Sequence, residues 1–156
     1  GRFLVLDISG HTKIHLAFYH FADQVLFCSD CLFSAGCGRI FDGDALSFYH
    51  SITKISLLDD DTIMCPANEY TLSNLQFALA VEPNNQDSKD YQQQCLLLRQ
   101  QQRPTLPTLL GKEKLFNPFL RCHLLVKEIS DLTHENCQTG AQGFAALRRY
   151  KNHWQS

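Results

Sequence analysis

The hydrophobic pattern of the chain changes character near residue 68, and this change constrains the fold most. The first part reads as four strands, at 3–8, 13–21, 25–28 and 62–65. The second strand has a period of two, with Ile14, Leu16 and Phe18 on one face, which is typical of a half-buried strand. Most of the remainder has helical spacing. We therefore predict an α/β protein with a boundary near residue 68.

Helix signals have identifiable starts and stops. Asp42 or Asp44 can cap a helix that follows the glycine-rich loop at 34–44. Leu72, Leu75 and Leu79 mark a second helix, which Pro83 ends. A glutamine-rich helix at 91–102 follows, capped by Asp87 or Ser88. The stretch at 104–121 is irregular, with one turn near 108–114. The final helices are at 123–134 and 144–154.

Composition excludes several classes of function. A net charge of −2 with mixed signs argues against a nucleic-acid partner, and no apolar run approaches the ~18 residues that span a membrane. Seven scattered cysteines predict reduced thiols and a cytoplasmic protein.

The chain starts with Gly1 and enters at once an apolar run typical of the middle of a sheet, which indicates a missing upstream segment or a processed start.

The stretch "FCSDC" holds Cys28 and Cys31, with Cys37 six residues later. A structural zinc site needs four ligands, and one C-x-x-C pair supplies two. A redox pair normally opens a helix, whereas this pair ends a strand. We therefore predict that these cysteines are small packing residues.

Two other side chains follow strands at one end of the predicted sheet. His11 comes after the first strand and Asp30 after the third. Imidazole and carboxylate both suit zinc or iron, so this pair could share a divalent metal. A loop histidine can equally be a surface or capping residue.

A series of motifs resembles one family. "SGHTKIH", "LFCSDCLFSAGCGRIFDGD", "NEYTLSNLQFALAVEP", "PTLP", "NPFLR" and "LRRYKNHW" occur in this order. The set resembles the hydroxyacylglutathione hydrolases (glyoxalase II) of the metallo-β-lactamase superfamily. The similarity covers nearly all 156 residues and corresponds to the C-terminal part of the family.

The resemblance implies a fold and a reaction. The fold would be the second half of an αββα sandwich at 1–68, followed by a helical glutathione-binding domain at 69–156. The family hydrolyses S-D-lactoylglutathione, the glyoxalase II step of methylglyoxal detoxification, with two metal ions, zinc or iron. Such metals lower the pKa of bound water and polarise the thioester carbonyl.

The resemblance also implies roles for particular residues. His11 and Asp30 match metal ligands, and Arg148 and Lys151 match a basic pair that holds the glycine carboxylate of glutathione. This pair shares one face of a predicted helix. Three further positions match substrate contacts: Arg39, Phe41 (a tyrosine in many members) and Tyr70.

The sequence also departs from the family pattern. The four-ligand motif H-x-H-x-D-H is absent from the 156 residues. "CPANEYT" places Asn68 where the family has its last histidine ligand, and a neutral amide is a poor zinc ligand. Ser29 and Cys31 replace the glycine and threonine that flank the aspartate. Only His11 and Asp30 remain of seven ligands, which predicts weak metal occupancy and impaired activity.

The family resemblance and the missing metal ligands together leave three alternatives. The chain is an impaired thioester hydrolase, a non-catalytic homologue that binds glutathione or a protein partner, or a non-functional truncated fragment with exposed strand edges. In each case we expect a monomer with no nucleic-acid or membrane partner.

Overall fold

A computed structural model describes residues 1–155. The strands are Phe3–Asp7 (β1), Leu16–His20 (β2), Val25–Ser29 (β3), Leu32–Phe33 (β4), Gly36–Cys37 (β5), Ile63–Pro66 (β6) and Thr108–Leu109 (β7). The helices are Ala45–Ser56 (α1), Thr71–Val81 (α2), Gln86–Gln100 (α3), Leu110–Phe116 (α4), Val126–Thr133 (α5) and Gly140–His153 (α6).

Five strands form one mixed sheet in the order β1-β2-β3-β6-β7. β1, β2 and β3 are antiparallel neighbours. β3 and β6 are parallel, and the connection between them contains α1, as parallel pairing requires a crossover. β7 comes from the second half of the chain and pairs with β6, so the sheet is not built by the first half alone.

The two faces of the sheet have different surroundings. Tyr19, Leu26 and Met64 are neighbours across three strands and belong to the main core, which includes residues of α1 and α6. On the opposite face, Phe18 and Phe27 are also in register, yet each is nearly half exposed. The helices therefore cover one face of the sheet.

The first two strands differ in how their side chains are packed. The apolar run after Gly1 forms β1, which lies at the edge of the described sheet with most of its side chains exposed. A continuously apolar run of this kind is typical of strands buried on both faces. In β2, packing against the helices buries Ala17 and Tyr19, so the face of Leu16 and Phe18 points outward.

Most helices begin and end where the sequence indicates. Asp44 caps α1 by accepting a hydrogen bond from Ser47 N at 2.8 Å. The predicted cap of α3 was wrong: Asn85 has an extended backbone and accepts from Ser88 N, which places Asp87 and Ser88 inside the helix. In the stretch predicted to be irregular, β7 and α4 occur instead of a single turn.

The glycine-rich stretch after Asp30 also differs from the polar loop predicted there. Every residue from 31 to 38 is buried, and β4 and β5 form a short hairpin. A buried carboxylate from α4, that of Glu113, holds this hairpin. It accepts hydrogen bonds from Ser34 Oγ (2.6 Å), Ala35 N (2.8 Å) and Asn117 Nδ2 (3.1 Å), because a buried carboxylate needs several donors.

One main core joins the two predicted domains. Leu26 and Phe48 from the first part share it with Phe119 and Phe144 from the second. The division at residue 68 therefore stays a prediction, since the structure places both parts around common packing.

The cysteines have the role predicted for them. Cys28 and Cys31 are fully buried in the main core, and all seven thiols are free. Burial raises the pKa of both thiols, so they are protonated and unreactive at neutral pH. No helix among residues 1–155 has the length and hydropathy to cross a bilayer.

Candidate functional site

Two parallel strands carry predicted site residues to the same edge of the sheet. Asp30 follows β3 and Asn68 follows β6, and Ala67 N donates to Ser29 O at 3.2 Å where the two strands end. A register shift interrupts the pairing between Phe27 and Ser29, and Ser29 has a φ of +50°. This left-handed residue turns the chain immediately before Asp30.

His11 lies beside Asp30, and a glycine makes their approach possible. A Cβ on Gly38 would lie 1.9 Å from the Asp30 carbonyl oxygen and 3.1 Å from His11 Nδ1, so a side chain there would displace one of them. His11 Nδ1 hydrogen-bonds to the carbonyl oxygen of Arg39. Nδ1 is the donor in this bond, so Nε2 keeps its lone pair for a cation, the arrangement usual in metal-binding histidines.

A pocket of about 770 Å³ opens at this edge of the sheet. It contains seven of the eight residues singled out from the sequence: His11, Asp30, Arg39, Phe41, Tyr70, Arg148 and Lys151. Asn68 is exposed and does not line it. The pocket therefore joins the two predicted metal ligands to the predicted substrate contacts.

Lys151 is a cation of the pocket whose pKa is lowered by its surroundings. Its Nζ donates to Asn74 Oδ1 at 2.6 Å and lies 5.2 Å from the centroid of Phe77 and 5.6 Å from that of Phe119. Burial, with the nearby charges of Arg148 and Arg39, lowers the pKa of Lys151 to about 8. No carboxylate among residues 1–155 forms an ion pair with it.

Arg148 has a different environment. It is 3% exposed, and its Nη1 donates to the carbonyl oxygens of Cys37 (2.9 Å) and Gly38 (3.2 Å). Its Nη2 donates to Asn152 Oδ1, and its Nε has no hydrogen-bond partner among the described residues. Arg148 thus supports the segment that carries Arg39.

The side chains near Asp30 only partly fit a metal centre. His11 Nε2 and the Asp30 carboxylate are suitable donors for zinc or iron. Within residues 1–155, however, no group of three or more His, Cys, Asp or Glu side chains could hold a metal ion. These residues therefore do not complete a dinuclear site.

Several pocket residues were not predicted. They are Phe33, Cys37, Gly38, Ser73, Asn74, Trp154 and Gln155. Asn74 is the one with a sequence signal, because it lies three residues after Thr71 and next to Leu75 on the buried side of α2. A polar residue at a core position of a helix requires a hydrogen-bond partner.

Comparisons with known proteins place the chain in a family. A family model described as "Hydroxyacylglutathione hydrolase C-terminus" matches residues 69–154. The chain is 48% identical over 152 residues to the hydroxyacylglutathione hydrolase of Aliivibrio salmonicida (strain LFI1238), a match that covers 97% of this chain and 59% of the relative. The chain thus spans about 60% of the length of the curated relatives that it matches.

Solved structures support the fold. ETHE1 from Myxococcus xanthus aligns with a TM-score of 0.57 at 20% identity over 98% of this chain and 47% of its own. The BLEG-1 B3 metallo-β-lactamase aligns with a TM-score of 0.50 at 24% identity over 76% of this chain and 41% of its own. The predicted fold class, α/β with the second half of a metallo-β-lactamase sandwich followed by helices, is confirmed. The chain belongs to the hydroxyacylglutathione hydrolase family and corresponds to its C-terminal part.

Proposed function

We propose that the pocket binds the glutathione part of an S-acylglutathione thioester. The substrate would be S-D-lactoylglutathione, the thioester that is hydrolysed in methylglyoxal detoxification. The observation that carries this proposal is the charge of the pocket. Arg39, Arg148 and Lys151 line it together with a single carboxylate, Asp30. Cations without a carboxylate partner favour an anionic ligand, and glutathione carries two carboxylates.

The position of each cation supports an orientation for this ligand. Lys151 lies at the wall formed by α6 and would take the glycine carboxylate. Arg39, Phe41 and Tyr70 are exposed side chains around the opening and would contact the rest of the tripeptide. The thioester would then lie toward His11 and Asp30.

Hydrolysis by this sequence is impaired under the same proposal. A bound zinc or iron would supply a Lewis acid and an activated water at His11 and Asp30. Those two side chains are the only family ligands present, and Asn68 stands in the place of a histidine.

Free thiols throughout residues 1–155 favour a reducing compartment, the cytoplasm.

A non-catalytic glutathione-binding homologue is the second candidate. Two observations favour it: no group of three metal-ligating side chains occurs among the described residues, and the pocket contains the cations Arg39, Arg148 and Lys151. The two candidates share the binding step and differ in turnover.

Calorimetry with glutathione at pH 7 tests the binding step. We expect a dissociation constant in the millimolar range or tighter, and Lys151→Gln should weaken it by roughly tenfold, the effect of losing one charge-assisted hydrogen bond. Lys127→Gln is the matched control, since Lys127 is exposed on α5 and outside the pocket. Absence of binding at millimolar glutathione would refute the proposal.

A further inference from the structure

Asn74 links three elements of the pocket wall and is 4% exposed. It lies on α2, where its Nδ2 donates to Ser34 O at 3.1 Å, and its Oδ1 accepts from Lys151 Nζ of α6 at 2.6 Å. A carbonyl must accept and an ammonium must donate, so these two partners fix which amide atom faces which side.

The amide of Asn74 has no room to turn. A Cβ on Gly36 would lie 2.5 Å from Asn74 Nδ2, so the hairpin backbone packs directly against it. The Ser34 hydroxyl on the same hairpin donates to the buried Glu113 carboxylate. The orientation of Asn74 is therefore set by the hairpin and does not depend on a ligand.

The acceptor that holds Lys151 is uncharged. The other close neighbours of Nζ among the described residues are the rings of Phe77 and Phe119, and Arg148, Arg39 and Cys37 are the charged or titratable groups around it. A carboxylate in place of the amide would hold the ammonium but neutralise it. An amide holds the ammonium and leaves its charge, and its remaining two donors, for a ligand.

We propose that Asn74 is a positioning residue that fixes the Lys151 ammonium at the pocket wall while leaving its charge free for an anionic ligand. The inference deepens the proposed function, because the ligand is the glycine carboxylate of glutathione. Asn74 itself acts through Lys151.

Lysine NMR on the free protein tests the contact without any ligand. In protein labelled with ¹³C at lysine Cε, Lys151 of the wild type should titrate near pH 8. Asn74→Asp should raise this midpoint by at least about one unit, because a carboxylate stabilises the ammonium. Asn74→Ser should lower it, because the acceptor is lost and the small polar side chain still fits the helix. Asn84→Asp, an exposed and remote site, should not move it.

Glutathione affinity at pH 7 supplies the second readout. Asn74→Asp and Asn74→Ser should each weaken binding by roughly tenfold, and Asn74→Ser should have little further effect in a Lys151→Met background. The positioning role would be overturned if the Lys151 titration midpoints of Asn74→Asp and Asn74→Ser moved in the same direction or stayed within about 0.3 pH unit of wild type. It would also be overturned if the losses of glutathione affinity from Asn74→Ser and Lys151→Met were fully additive. Opposite shifts in a protein that does not bind glutathione would support the role of Asn74 and refute the proposed function.

Discussion

His11 donates from Nδ1 to the backbone carbonyl oxygen of Arg39, so a predicted metal ligand and a predicted glutathione contact are joined by one hydrogen bond. The bond ties the loop after β1 to the segment after β5. It orients the imidazole with Nε2 free and fixes the backbone from which the Arg39 side chain extends. The two halves of the proposed site are therefore positioned together.

Metal content should be low. Zinc bound by one imidazole and one carboxylate is weakly held, since stable sites have three or four protein ligands. After dialysis against buffer containing micromolar zinc, we expect elemental analysis to find well under one zinc per chain. His11→Ala and Asp30→Ala should lower any residual binding, whereas His50→Ala, an exposed residue of α1, should not. Two zinc ions per wild-type chain would show that the site is complete.

Affinity for the ligand should depend on pH through Lys151. Its lowered pKa, about 8, means that the ammonium is present below pH 8 and lost as pH rises through that value. Binding of S-methylglutathione, which has no thiol to titrate, should therefore weaken between pH 7 and 9. Calorimetry on wild type and Lys151→Met separates this effect from titration of the ligand amine. Equal pH profiles for the two proteins would contradict the assignment.

A single glycine should stabilise the turn before Asp30. Ser29 has a φ of +50°, a conformation that costs a side-chain-bearing residue roughly 1 kcal/mol, and no side-chain hydrogen bond of Ser29 offsets this cost in the described structure. Ser29→Gly should raise the free energy of unfolding by about 1 kcal/mol in urea denaturation. The same replacement of Ser73, in the helix α2, should lower it by about 0.5 kcal/mol.

Glu113 should be essential for stability. Its buried carboxylate accepts from Ser34, Ala35, Thr108 and Asn117, all of which are donors. Glu113→Gln would turn an amide group toward some of these donors, and we expect it to cost roughly 2–3 kcal/mol in urea denaturation. Glu128→Gln, at an exposed position of α5, should change stability by less than 0.5 kcal/mol. A similar, small effect at both positions would contradict the role given to the network.

Local signals in the sequence predicted part of the fold well. The cap of α1 and the end of α2 before Pro83 depend on neighbouring residues alone. The cap is Asp44, one of the two aspartates predicted, and α2 ends where predicted. The cap of α3 failed because Asn85, Asp87 and Ser88 are all good capping residues and only the backbone decides between them.

Tertiary packing decided the features that the sequence did not predict. The alternation in β2 identifies two faces but not which one the helices cover, so the exposure of Phe18 could not be inferred. The buried hairpin at 32–37 depends on Glu113, about 80 residues further along the chain. Asn74 is likewise explained by Lys151 and Ser34, which are distant in sequence. Such partners are visible only once the chain is folded.

Thioester cleavage measured together with binding tests the central claim most directly. The claim is that this chain holds the glutathione site of its family beside an incomplete metal site. The protein is mixed with saturating S-D-lactoylglutathione and excess zinc or iron. Calorimetry should detect heat of binding. The rate of hydrolysis, measured as loss of thioester absorbance, should stay close to the rate without protein. Binding with rapid, metal-dependent turnover, or no binding at all, would contradict the claim.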